Sequence, residues 1–217
     1  MSLELPPIII AVVLAHLLAL LSPGPDFLIV VKSGIKNTKT TAIGVAIGIA
    51  LANAVYIIIC IVGIGALLAK SVVIMTLLKV LGGLFLSYLA FMSMKAKKKD
   101  YDHLIHSAGI AKVQSSTFLK ELLTGFLSGI LNPKNPIFYL SLFSLVLTNE
   151  ISLSLKIGLG IWMTFIVFAW DTFIIFVLSR NTVRELFSKF AFYIDKFTGV
   201  VLGLIGVKLI HSAFARN

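Results

Sequence analysis

Apolar runs of about twenty residues recur along this chain, and a helix of that length is what it takes to cross the roughly 30 Å hydrocarbon core of a bilayer. Six runs qualify: Ile8 to Val31, Thr41 to Ala69, Val72 to Met94, Phe118 to Leu147, Leu153 to Ser179, and Ile194 to Phe214. The second and fourth are long enough to tilt or break. A five-span count would require the first or fourth to re-enter the membrane rather than cross it. A soluble domain carries about a quarter charged residues, whereas only 13% of these 217 residues are charged and 59% are hydrophobic. Mean hydropathy is +1.04. The expected fold is an all-α membrane protein with six transmembrane helices in the lipid bilayer.

The formal net charge of +10 does not indicate nucleic acid, because the basic residues sit in short segments between apolar runs and no basic face interleaved with aromatics is present. Those segments obey the rule that positive loops stay in the cytoplasm. With six spans, one side holds Lys32, Lys36, Lys39, Lys95, Lys97, Lys98, Lys99, Lys112, Lys120, Arg180, Arg184, Lys189 and Lys196. The other holds Lys70, Lys156 and Arg216, with Lys79 and Lys208 near span ends where they can snorkel. The first group is assigned to the cytoplasm, which puts both termini outside. Met1 to Pro7 has no Lys or Arg, so the first run is expected to remain as a span rather than be removed as a signal. Cys60 is the single cysteine, which excludes disulfides and thiol relays.

Residues 95–117 form a basic, mostly hydrophilic linker between two sets of three spans, 1–94 and 118–217. The two sets echo one another. Leu21-Ser22-Pro23-Gly24-Pro25 is similar to Leu131-Asn132-Pro133-Lys134-Asn135, and Lys79-Val80-Leu81-Gly82 to Lys196-Phe197-Thr198-Gly199. Three spans is an odd number, so a second copy would enter from the opposite side, giving the two inverted three-helix repeats common in secondary transporters. Chance likeness between apolar helices would produce similar echoes. Small residues four apart (Gly44 and Gly48, Gly125 and Gly129, Gly199 and Gly203) point to close helix packing in lipid.

The chemistry is expected at two proline motifs inside spans. In Ser22-Pro23-Gly24-Pro25-Asp26, two prolines remove backbone donors and Gly24 loosens the chain. Asn132-Pro133-Lys134-Asn135-Pro136 does the same in the fourth run. Backbone freed at membrane depth is tolerated only where protein buries it or it lines a watery cavity. Asp26 and Lys134 are the charges at these breaks, and lipid-facing charge is costly. If the halves pack about a pseudo-two-fold axis, the breaks meet. Lys134 and the positive half-helix ends would then hold a carboxylate, and Asp26 an ammonium or a proton. The candidate substrate-binding set is Ser22, Pro23, Gly24, Pro25, Asp26, Asn53, Asn132, Pro133, Lys134 and Asn135. A plain structural ion pair between Asp26 and Lys134 is the alternative.

Asp171, deep in the fifth span, joins Asp26 as a candidate proton carrier, the alternative being a local hydroxyl partner. Asn53 either touches substrate or joins helices. His16, alone on an apolar face, reads as a packing residue. Asp102, His103 and His106 could form a metal cluster in the linker, but a solvated loop explains them better, so no metal and no cofactor is assigned. No paired acids, Ser–His arrangement or phosphate loop is visible in the spans, and an enzyme is unsupported.

With these motifs in view, the chain resembles the LysE/RhtB family of bacterial amino-acid exporters. The likeness rests on Ser22-Pro23-Gly24-Pro25-Asp26, on the glycine-rich second run starting Ala42-Ile43-Gly44, on Asn132-Pro133-Lys134, and on the basic linker. It implies a multi-pass exporter of amino acids in the cytoplasmic membrane, driven by the proton gradient. Residues 144–149 lack the Pro-containing exit of the fourth span found in many members. The expected partners are a small zwitterionic amino acid and protons; a homo-oligomer is neither required nor excluded. The rivals are a cation exporter of the same superfamily and a structural membrane subunit that transports nothing.

Overall fold

The computed structural model describes residues 5–22, 24–64, 72–97, 116–132, 134–146, 151–177 and 181–214. Those residues form eight α-helices and no strand. In chain order they are α1 (Leu5–Leu21), α2 (Pro25–Lys36), α3 (Lys39–Ile59), α4 (Val72–Lys95), α5 (Phe118–Leu131), α6 (Lys134–Val146), α7 (Leu153–Val177) and α8 (Asn181–Phe214). A π-helical turn, Cys60–Ile64, continues α3. Residues 98–115 of the basic linker, with Asp102, His103 and His106, lie outside the described residues.

Four of these helices are long and apolar enough to cross a membrane: Lys39–Val62, Thr76–Lys95, Leu153–Val177 and Phe192–Phe214. The first apolar run divides into α1 and α2, bent by 52° where they meet, and the pair supplies a fifth crossing if it counts as one broken span. The fourth run divides too. Its halves have 14 and 13 residues, about 20 Å each, so neither alone covers the hydrocarbon. α8 starts well before the apolar stretch read from the sequence, because Asn181 and the polar residues after it are helical as well.

Helix ends are fixed by local chemistry. The Thr38 side chain accepts from the Thr41 amide to open α3, and Thr117 accepts from Lys120 to open α5. Lysines close two others: Lys39 Nζ donates to the Ile175 carbonyl at 2.8 Å near the end of α7, and Lys196 Nζ donates to the Met94 and Ala96 carbonyls at the end of α4. Ser33 Oγ donates to Glu121 Oε2 at 2.5 Å, tying α2 to α5.

Lipid tails are as apolar as leucine, so burial alone does not drive these helices together; close backbone packing does. The glycines supply it at two contacts. Gly48 of α3 faces Gly125 of α5, and Gly44 lies a turn away against the Phe118 carbonyl; a Cβ on Gly48 would stand 2.1 Å from the Leu122 carbonyl oxygen and one on Gly125 2.2 Å from that of Val45. Gly83 of α4 meets Gly206 of α8, each Cβ falling 2.7 Å from the other's carbonyl oxygen. Leu81, Leu127, Phe165 and Leu204 remain exposed around the outside, as a lipid-facing surface requires.

Two buried apolar clusters result. One joins α1, α4, α6, α7 and α8 around Leu142, Phe143, Met163, Leu86 and Leu209. The other joins α2, α3 and α7 around Val30, Val45, Ile49, Ile174 and Ile175. The polar cavity described next lies where they meet, walled by Ala19, Phe138 and Tyr139 of the first and by Phe27, Ile49 and Val167 of the second.

Because the Gly48 contact is backbone on backbone, Gly48→Ala should destabilise the protein by about 1–3 kcal/mol or more. Gly158, where an added Cβ meets nothing within 4 Å, should accept alanine at no cost. Thermal unfolding of the purified protein in detergent measures both; equal stability of the two variants would contradict this packing.

Candidate functional site

The two interrupted runs meet, and each carries the other's partner. The chain stops being helical after Leu21 and restarts at Pro25, whose fixed φ and missing N–H suit the first helical position. In the fourth run Asn132 ends α5, and its own groups start α6: Oδ1 accepts from the Lys134 amide at 3.0 Å, and the carbonyl accepts from the Asn135 amide at 3.1 Å. One residue thereby satisfies two of the amide donors left orphaned at the new helix start.

Asp26 stands in the first turn of α2, where the helix dipole favours negative charge. Its Oδ1 accepts from Ser128 Oγ at 2.6 Å, and its Oδ2 accepts from the side-chain amides of Asn132 at 3.0 Å and Asn135 at 3.1 Å. Asn135 also donates to the Gly129 carbonyl at 3.0 Å. Donors from both sides of the second break thus converge on the acid of the first. In return, Lys134 Nζ reaches the first break, 3.8 Å from where a Cβ of Gly24 would stand. Among the described residues the hydrogen bonds to Asp26 come from Ser128 and the two asparagines, not from Lys134, so its carboxylate is held by a hydroxyl and two amides rather than by a simple ion pair.

Between the breaks is a cavity of about 70 Å³. One water needs about 10–15 Å³ on that measure, so there is room for several, or for the polar head of a small zwitterion. Ser22, Gly24, Asp26, Asn53, Asn132, Lys134, Asn135 and Asp171 all line it. Pro25 does not; it is exposed at the start of α2. Pro23 and Pro133 lie outside the described residues. Asn53 donates to the Ile49 carbonyl of its own helix at 2.9 Å, so this bond does not join helices. Asp171 is 6% exposed, and its Oδ2 has no hydrogen-bond partner among the described residues; the same holds for Trp170 Nε1 beside it on the cavity wall.

Several residues here escaped the sequence reading. Ser128 sits inside a small-residue motif that reads as packing, although it precedes Asn132 by one helical turn and so shares its face. His16 and Tyr139, buried together with Nε2 and Oη 3.4 Å apart, line the cavity. Asp195 falls at the edge of the last apolar run, where an acid looks solvated, yet it is 5% exposed. Among the described residues no three metal-capable side chains gather.

A polytopic helical protein with a polar, charged cavity at two helix breaks has the build of a membrane translocator. The chain belongs to the LysE type translocator family, whose description matches residues 17–213. The family's members are transporters, not enzymes. The chain is 28% identical over 204 residues to a threonine efflux protein of Escherichia coli K12, covering 94% of this chain and 97% of that one. It is 27% identical to the threonine efflux protein of Salmonella typhi, covering 93% and 96%. An uncharacterized membrane protein of Haemophilus influenzae is 29% identical over 205 residues, covering 92% and 94%. No solved structure gives a significant match.

If the cavity is wet, a cysteine placed on its wall will react with a small water-soluble thiol reagent. In a Cys60→Ala background, Ser22→Cys should be modified while Val45→Cys, fully buried in the apolar cluster, should not. Mass spectrometry of the labelled protein checks this, and an inert Cys at position 22 would mean the cavity is sealed.

Proposed function

We propose that the protein exports small zwitterionic amino acids or close derivatives across the cytoplasmic membrane in exchange for protons. The observation that carries this reading is the cross-tied pair of breaks: an acid, a base and two helix starts are gathered on one polar cavity inside an otherwise apolar bundle. The ends of a zwitterion match it. Lys134 and the N-termini of α2 and α6 offer positive charge to the carboxylate. Asp26 takes the ammonium. The substrate named for two of the relatives, threonine, fits this description.

Transport follows from competition. Asp26 and Asp171 share the cavity, so a proton on Asp171 and a cargo ammonium at Asp26 each reduce the negative charge that attracts the other, and release of one favours capture of the other. Asp171 is the proton carrier in this scheme. Alternating access is rocking of two inverted three-span units, α1–α4 with α1 and α2 as one broken span and α5–α8 with α5 and α6 as another, which exposes the breaks to each side in turn. A pseudo-two-fold relation would put the α3–α7 and α4–α8 contacts on its axis, and both contacts are made. The distribution of lysine and arginine supports termini on the outside.

Cells overproducing the protein should release labelled amino acids and tolerate toxic analogues; no change across a broad panel would sink amino-acid export. Asp26→Asn offers an amide to the two asparagine donors that now bind a carboxylate. It should reduce export to background with the protein still in the membrane, and retained export would remove Asp26 from the site. Asp171→Asn should leave downhill cargo flux in proteoliposomes but abolish its dependence on a pH gradient. Flux that still follows the gradient would assign the proton elsewhere.

A further inference from the structure

His16 has the features of a residue that contacts cargo rather than one that merely fills space. It is 1% exposed on α1 and lines the cavity. Its ring is fixed on three sides, with centroids 6.4 Å from Phe138, 6.1 Å from Tyr139 and 5.6 Å from Trp162. One nitrogen, Nε2, lies 3.4 Å from Tyr139 Oη. The other, Nδ1, has no hydrogen-bond partner among the described residues. A buried polar atom without a partner is costly to keep, and the residue that carries this one lines the polar cavity.

Its position fits one part of the cargo. His16 precedes Leu21, the last residue of α1, by five residues, and Tyr139 follows Lys134 by five on α6, each roughly 7 Å along its helix from its break. Both therefore stand on the same side of the breaks, away from α2 and α5. A zwitterion whose charged groups occupy Asp26 and Lys134 has its side chain left to extend toward them.

We propose that His16, oriented by Tyr139, is the residue that reads the cargo's side chain, and that it selects a hydroxyl. This rests on the amino-acid export reading and adds its specificity. The chemistry of the imidazole supports the choice. In the tautomer that accepts from Tyr139, Nδ1 is a donor; in the tautomer that donates to Tyr139, Nδ1 is an acceptor. A hydroxyl satisfies either state, whereas an ammonium or a carboxylate satisfies one. An aliphatic side chain satisfies neither, and leaves the nitrogen buried and unpaired.

The test is a ratio. Threonine and valine differ by a hydroxyl in place of a methyl, and flux of each is measured in proteoliposomes holding wild-type protein or a variant. Wild type should prefer threonine; His16→Leu should shrink the threonine-to-valine ratio of kcat/KM about tenfold or more, and His16→Asn, whose amide can stand in for Nδ1, should keep it within about threefold. Equal loss for both amino acids, or an unchanged ratio, would overturn the assignment, because a packing defect lowers flux without changing preference. Tyr139→Phe frees Nε2 while leaving the ring cluster in place, and should narrow the ratio even if His16→Leu is not recovered from membranes; an unchanged ratio there would also overturn the proposal. Wild-type flux of valine equal to that of threonine would overturn it alone, whereas flux of no amino acid would overturn the export reading beneath it.

Discussion

Hydrocarbon offers no partner to a backbone amide or carbonyl, and this chain interrupts two of its apolar helices all the same. What makes that affordable is the mutual satisfaction of the breaks. Asn132 caps the restart of its own run through two of its own oxygens, and its side-chain amide turns to Asp26 on the other run. Neither break could be held in this form without the other. Asp26 without the asparagines would be a part-buried carboxylate left with the Ser128 donor alone, and the Asn132 side-chain amide without Asp26 would lose its acceptor.

The bundle serves that junction. Glycine contacts bring α3 against α5 and α4 against α8 at backbone distance, so the two halves of the chain meet along small residues. Between the two apolar clusters the packing is left incomplete, and the gap is lined with the residues that a soluble core would avoid. Some polar atoms there, such as Nδ1 of His16, Nε1 of Trp170 and Oδ2 of Asp171, have no hydrogen-bond partner among the described residues.

The sequence made the site unusually legible because the cost of polarity in a membrane is so high. Prolines and charges inside apolar runs stand out, and Ser22, Gly24, Asp26, Asn53, Asn132, Lys134, Asn135 and Asp171 line one cavity. Less visible were residues whose type is innocuous in isolation. Ser128 looks like a small packing residue, His16 like a filler, and Asp195 like a span end; only the fold shows that each is turned inward. The span count was harder for a related reason. Hydropathy integrates over a window and passes across a break, so Phe118 to Leu147 reads as one run although it comprises two short helices. The described residues therefore give four crossings, or five with the bent first pair.

Cargo bound at the junction of the two breaks would be visible in an experimental structure of the protein with an amino acid. Density is expected in the cavity, with the carboxylate within hydrogen-bond reach of Lys134 Nζ and the ammonium facing Asp26. Cargo bound elsewhere in the bundle, with the space between Asp26 and Lys134 closed by side chains, would contradict that placement.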